Sequence, residues 1–85
     1  MRANPRLAVV REVLKERLRQ DAKWGEQNHE DSIWLAVLTE EVGEAGKAIL
    51  QDTFSDIGGN LREELVHSAA VIVAWIEKLD REAAS

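Results

Sequence analysis

Three stretches of this chain repeat apolar residues at spacings of three and four, and none alternates apolar with polar. That pattern confines it to helices packed on helices, an all-α fold. The first stretch is NPRLAVVREVLKERLRQDAKW, where Leu7, Val10, Val13 or Leu14, and Leu18 stripe a helix over about 5–22. Asn4 is a good N-cap, Pro5 suits the first helical position, and the late Lys and Arg residues suit the helix dipole. WGEQNHEDS then breaks the pattern with Gly25 and Asn28. Asp31 or Ser32 can cap a second helix over about 32–51. TFSDIGGN carries the strongest breaker, Gly58-Gly59. Ser55 or Asn60 can cap a third helix over about 60–81, with REAAS left as a frayed tail.

At 85 residues the chain is a single domain over 1–85. A lone chain of this size buries roughly 60–65% of its unfolded surface, which makes a monomer marginal. Wide apolar arcs and three tryptophans exceed what three helices can cover, so self-association is expected. There are no cysteines, which excludes disulfides and thiolate ligands. A net charge of −5 argues against nucleic acid as a partner, because backbone binding needs clustered Lys and Arg. An acidic protein that handles phosphates needs a metal to mediate. No apolar run approaches the roughly 20 residues of a membrane span, and the N-terminus lacks the apolar core of a signal peptide. The expectation is a soluble cytoplasmic protein with no membrane partner.

TEEVGEAGKAIL sets glutamates where a core is expected. At ~100° per residue, Trp34, Leu35, Val37, Leu38, Val42, Ala45, Ala48 and Ile49 form one apolar arc. Glu41 falls inside that arc, Glu44 at its edge and Glu40 just outside. On the third helix Leu61, Leu65, Ala69, Ile72, Trp75, Ile76 and Leu79 form the arc, with Glu64 and His67 beside it. Glu63 and Glu77 fall on the polar face, where a charge costs nothing. Each helix thus offers an i, i+3 pair of ligands toward its buried side. Clustered ionised carboxylates in an apolar setting are costly and repel, and a divalent cation resolves both problems. Hard oxygen ligands favour Mg²⁺ or Mn²⁺, the former shared with substrate phosphates. Helical bundles build metal sites from carboxylates and E-x-x-H pairs in this way, di-iron bundles included. The geometry alone does not separate a phosphate-handling enzyme from a ferritin-like metal bundle.

WLAVLTEEVGEAGKAIL followed by LREELVHSAAVIVAW, with KWGEQNH upstream, resembles the MazG-type all-α nucleoside triphosphate pyrophosphatases over roughly Lys23 to Glu77. The resemblance implies a helical bundle completed by oligomerisation, as a homodimer or a tetramer built from dimers. It implies Mg²⁺ held by an E-x-x-E pair and an E-x-x-D pair. Water then cleaves a nucleoside triphosphate between its α- and β-phosphates, to give a monophosphate and pyrophosphate in nucleotide-pool house-cleaning. Carried onto this chain, the metal ligands are Glu41, Glu44, Glu64 and His67, with Glu40 or Glu41 orienting or deprotonating the water. His67 departs from the family's aspartate. A neutral imidazole ligates Mg²⁺ poorly and suits Mn²⁺ or Zn²⁺ better.

Lys47, Arg62 and Lys78 are candidates for phosphate contacts, by charge and nearness to the acidic pairs. Trp24, Gln27, Asn28 and His29 are candidates for the base pocket, since an indole stacks on bases and amides read their edges. The alternative reading is a non-catalytic or weakly active helical nucleotide-binding or oligomerisation module. A ferritin-like site is disfavoured, because it normally draws on two E-x-x-H motifs and only one is in place here.

Overall fold

A computed structural model describes residues 4–54 and 60–85. They form α1 (Pro5–Trp24), α2 (Asp31–Phe54) and α3 (Leu61–Ala84), with no strand among the described residues. Asn4 caps α1 as expected: its side chain accepts from the Arg6 N–H at 2.9 Å, and Pro5 stands at the first position. Asn60 caps α3 reciprocally, accepting from the Glu63 N–H at 3.1 Å and donating to the Glu63 carboxylate at 2.8 Å. Ser55 and the Gly58-Gly59 breaker lie outside the described residues. Gly25 closes α1 at φ 70° and ψ −167°, a conformation essentially reserved for glycine. Nothing stands within 4 Å of the space a side chain there would enter, so the requirement at this position is one of backbone.

Asp31 does not cap α2. It is the helix's first residue, and its carboxylate reaches across to α3, accepting from Trp75 Nε1 at 3.0 Å and Lys78 Nζ at 3.3 Å. The expected frayed tail is helix to Ala84. Arg81 anchors it, donating to Asn28 Oδ1 at 2.9 Å and to the Gln27 carbonyl at 3.0 Å.

α3 is the middle helix; it packs against both neighbours, which do not pack on each other. The result is a bent layer of 50 × 40 × 19 Å with a radius of gyration of 14.9 Å. A closed domain of this length would have a radius of about 12 Å. The layer exposes 6531 Å², whereas a compact monomer of 9.5 kDa exposes about 5,000 Å².

The two seams use different chemistry. On α2, Trp34, Leu38, Glu41, Ala45 and Ala48 follow the 4-3-4-3 spacing of a coiled-coil seam. Glu64, His67, Val71, Ala74 and Lys78 follow its 3-4-3-4 counterpart on α3. Trp34, Val71 and Ala74 form the core there, with Val37, Leu38 and Trp75 packed against it. The small Ala45, Ala48, Ser68, Ala70 and Ala74 are buried and let the helix backbones approach. The α1·α3 seam is largely polar: Glu16 and Arg17 are buried, and Arg17 bridges to Glu77 at 2.7 Å. Glu77 is therefore an ion-pair partner, not the free surface charge the helical wheel implied.

The apolar arcs expected to be core correct most sharply. Leu7, Val10, Leu14 and Leu18 of α1 are all at least half exposed, and Leu65, Ile72, Ile76 and Leu79 of α3 are exposed too. A middle helix in a single layer buries its two flanks. Those four α3 residues centre about 150° around the axis from His67, so they form the side of the layer facing away from that residue.

Candidate metal centre

Glu41 is half-buried because it occupies a seam position. Trp34, seven residues before it, and Ala45 and Ala48 after it hold that line of α2 against α3. Glu64 and His67 continue the Val71–Ala74 line on α3. Where the two lines face each other beyond Trp34, carboxylates and imidazole replace core side chains. Glu41, Glu64 and His67 each offer one ligand atom, and all lie within 4.8 Å of one another. His67 Nδ1 stands 3.5 Å from Glu64 Oε2 and 3.8 Å from Glu41 Oε2. Burial raises the Glu41 carboxyl above its ordinary range; His67 opposes this, while Glu64, Glu40 and Glu44 push the same way as burial. Two carboxylates and an imidazole fit a divalent cation of the Mn²⁺ type, with open positions left for water or phosphate.

Other residues join or leave the expected set. Glu44 is exposed and turns its carboxylate to Lys47, at 3.6 Å. Glu40 is exposed. Glu63 is more than half exposed yet lies 3.8 Å from His67 Nε2, so it is not the remote surface charge the wheel suggested. Arg62 is held in a fork on Glu12, with its Nη2 at 2.5 Å from the carboxylate. Lys78 is buried and paired with Asp31 and Glu82. Lys78 is thus buried in its ion pairs, which corrects the expectation of a phosphate contact there, whereas Arg62 stays largely exposed beside Glu12.

A cavity of about 310 Å³ opens beside the cluster, lined by Glu41 and His67 together with Trp24, Gln27, His29 and Trp34. Three of the four residues expected to form a base pocket therefore meet the acidic cluster. Asn28 is the exception: it donates to Glu26 and accepts from Arg81, and so serves the loop. The exposed Trp24 ring lies under Lys23 Nζ at 4.6 Å. His29 packs its ring edge-to-face with Trp34, centroids 5.1 Å apart. Trp34 is 2% exposed and its indole N–H has no hydrogen-bond acceptor, a deficit worth about 1–3 kcal/mol.

The helical wheel missed Glu16. It comes from α1, is 9% exposed, and sits 3.8 Å from His67 Nε2. Arg19 grips both its oxygens at 2.7 Å and Gln20 adds a third bond at 3.1 Å, which holds its carboxyl below the usual range. The available signal was the i, i+3, i+4 set Glu16, Arg19, Gln20 on one side of α1.

Comparison with protein-family models, curated proteins and solved structures found no match. No helix among the described residues is long and apolar enough to cross a membrane.

Proposed function

We propose that this chain is a metal-dependent nucleoside triphosphate pyrophosphohydrolase of MazG type, cleaving between the α- and β-phosphates to release pyrophosphate. The observation that carries the reading is the convergence of Glu41, Glu64 and His67 from facing helices at the mouth of a cavity lined by Trp24, Gln27 and His29. A cation held by the cluster would neutralise the triphosphate oxygens and acidify a bound water. Glu41 is the carboxylate placed to orient that water, because it borders both the cluster and the cavity. Exposed Glu40 and Glu44 lie on the same helix, within reach of a second ion or the phosphate chain's counterions. The cavity offers a base indole, imidazole and amide groups to lie against.

The proposal includes self-association. The exposed surface exceeds that of a compact monomer by about 1,500 Å², and a standard interface takes about 800 Å² from each partner. The Leu65, Ile72, Ile76 and Leu79 face of α3 is the surface a second copy covers.

A weakly active or non-catalytic nucleotide-binding module is the second reading. What favours it is that, among the described residues, only three donors converge, with Glu44 turned to Lys47. Pyrophosphate release across a panel of nucleoside triphosphates, with Mg²⁺ and Mn²⁺ compared, separates the two. Release dependent on metal supports the enzyme; nucleotide binding without release supports the module.

A further inference from the structure

A triphosphate chain brings several negative charges to a place that already holds the Glu41 and Glu64 carboxylates. A divalent ion offsets only part of that charge, and sites that handle phosphoryl groups commonly add a lysine or arginine. Lys47, Arg62 and Lys78 do not line the cavity beside Glu41 and His67. Among the described residues, the one Lys or Arg that does is Arg19 of α1. The same side chain borders the open groove between α1 and α3, which runs on past Glu63.

Arg19 is held in place by its own helix. The Glu16 carboxylate, one turn earlier, accepts from its Nε and its Nη2, each at 2.7 Å. Gln20 donates to the same carboxylate at 3.1 Å. Glu16 is buried, whereas Arg19 is half exposed, so the carboxylate is the fixed member of the pair and the guanidinium the presented one. The fork uses two of the five guanidinium N–H groups, and the Nη1 pair meets no acceptor among the described residues. Arg17 differs: its three nitrogens are taken by Glu77, Gln20 and Asp21. A planar guanidinium gripped along its Nε–Nη2 edge presents its Nη1 end in a fixed direction. The group lies between the two parts of the cavity. Its Cζ is 6.0 Å from the centre of the Trp24 ring. The carboxylate it grips is 3.8 Å from His67, and Glu63 and Glu41 also bear on its charge.

We infer that Arg19 binds the phosphate chain of the nucleotide, standing between the base beside Trp24 and the cation held by Glu41, Glu64 and His67. A guanidinium suits this task because its paired N–H groups match the paired oxygens of a phosphate. The inference rests on the proposed cation site, and it names the protein group that meets the charge the ion leaves uncovered.

Calorimetry with tripolyphosphate, a nucleotide's phosphate chain without base or sugar, tests it on the full chain. Mn²⁺ is titrated first, and tripolyphosphate is then titrated in its presence. Arg19→Gln should bind tripolyphosphate about 10–100-fold more weakly than wild type, the loss expected for a hydrogen-bonded charge. It should bind Mn²⁺ no more weakly, since it removes a positive charge from beside the site. Lys15→Gln removes the same charge one turn earlier on α1, from the groove but not from the cavity. It should change tripolyphosphate affinity by less than about threefold, because an exposed charge at that remove is screened. Arg19→Gln leaves the buried Glu16 unpaired and can fail to fold. Glu16→Gln combined with Arg19→Gln covers that case and should show the same loss relative to Glu16→Gln alone. Glu16→Gln alone keeps the guanidinium and should bind tripolyphosphate at least as tightly as wild type. Tripolyphosphate affinity unchanged within twofold on loss of Arg19, or equal losses in Lys15→Gln and Arg19→Gln, would overturn the inference. Failure of the cation site reads differently: the wild type then takes up no Mn²⁺, and the inference falls with it.

Discussion

At the scale of single residues, the proposed function leans most on His67 and Glu41. The resemblance sets an aspartate where His67 stands, and the cluster around Nδ1 makes the exchange testable. His67→Asp adds a hard anionic oxygen beside Glu64 and Glu41, so Mg²⁺ affinity should rise relative to Mn²⁺. Titration of both metals into both proteins checks it, and an unchanged preference would place His67 outside the ligand set. Glu41 supplies a pH signature. Its folded-state value is raised, so the folded metal-free chain binds its proton more tightly than the unfolded chain does. Its contribution is favourable below the ordinary Glu value of about 4.3 and is lost as pH rises through the raised value. Glu12, Glu16 and Asp31 have lowered values and slope the other way, so the effect must be read as a difference. Thermal melts of wild type minus those of Glu41→Gln should show stability lost as pH rises above the ordinary Glu value in the metal-free state.

At the scale of elements, Asp31 ties α2 to α3 at the far end of the seam from the Glu41, Glu64 and His67 cluster. Trp75 and Lys78 lower its carboxyl value, so its contribution is present above the ordinary range and fades as pH falls below about 4. Asp31→Asn should lower stability at neutrality, where the contribution is present, and converge with wild type in acid, flattening that limb; urea midpoints across pH check it. The helices themselves were legible in the sequence because caps and breakers are local: Asn4-Pro5, Gly25 and Asn60 act within a few residues. The seam between them was not. A wheel ranks faces by apolarity, which picked out Leu65, Ile72 and Ile76 over the Val71–Ala74 line that α3 buries. Close approach of backbones selected small residues there, and no periodicity in a single helix announces its neighbour. Glu41, Glu64 and His67 were found because they interrupt an apolar pattern. Glu16 was not, because a glutamate among Arg and Lys on α1 reads as solvated until α3 is laid against it. Lys78 was misread for the same reason: of its partners Asp31 and Glu82, the first lies on another element.

The whole molecule is a layer with two unlike sides: a charged side holding the carboxylates, and an apolar side formed by the α3 stripe. A free layer of this kind leaves Leu65, Ile72, Ile76 and Leu79 in water, which disfavours the monomer by several kcal/mol at ~25 cal/mol per Å². Sedimentation should show a dimer or larger assembly at low micromolar concentration. Ile76→Asp should dissociate it, with a lower melting temperature because the freed layer is marginal. A folded wild-type monomer under those conditions would remove the self-association.

The central claim is that Glu41, Glu64 and His67 form a cation site that drives phosphate chemistry, and Mn²⁺ calorimetry tests it most directly. Wild-type protein should bind Mn²⁺ stoichiometrically per chain, melt at a higher temperature with the metal, and release pyrophosphate from a nucleoside triphosphate only when it is present. Glu41→Gln should lose binding and release while folding at least as stably without metal. Wild-type protein that neither binds Mn²⁺ nor is stabilised by it, or a Glu41→Gln variant that binds and turns over as wild type does, would contradict the claim.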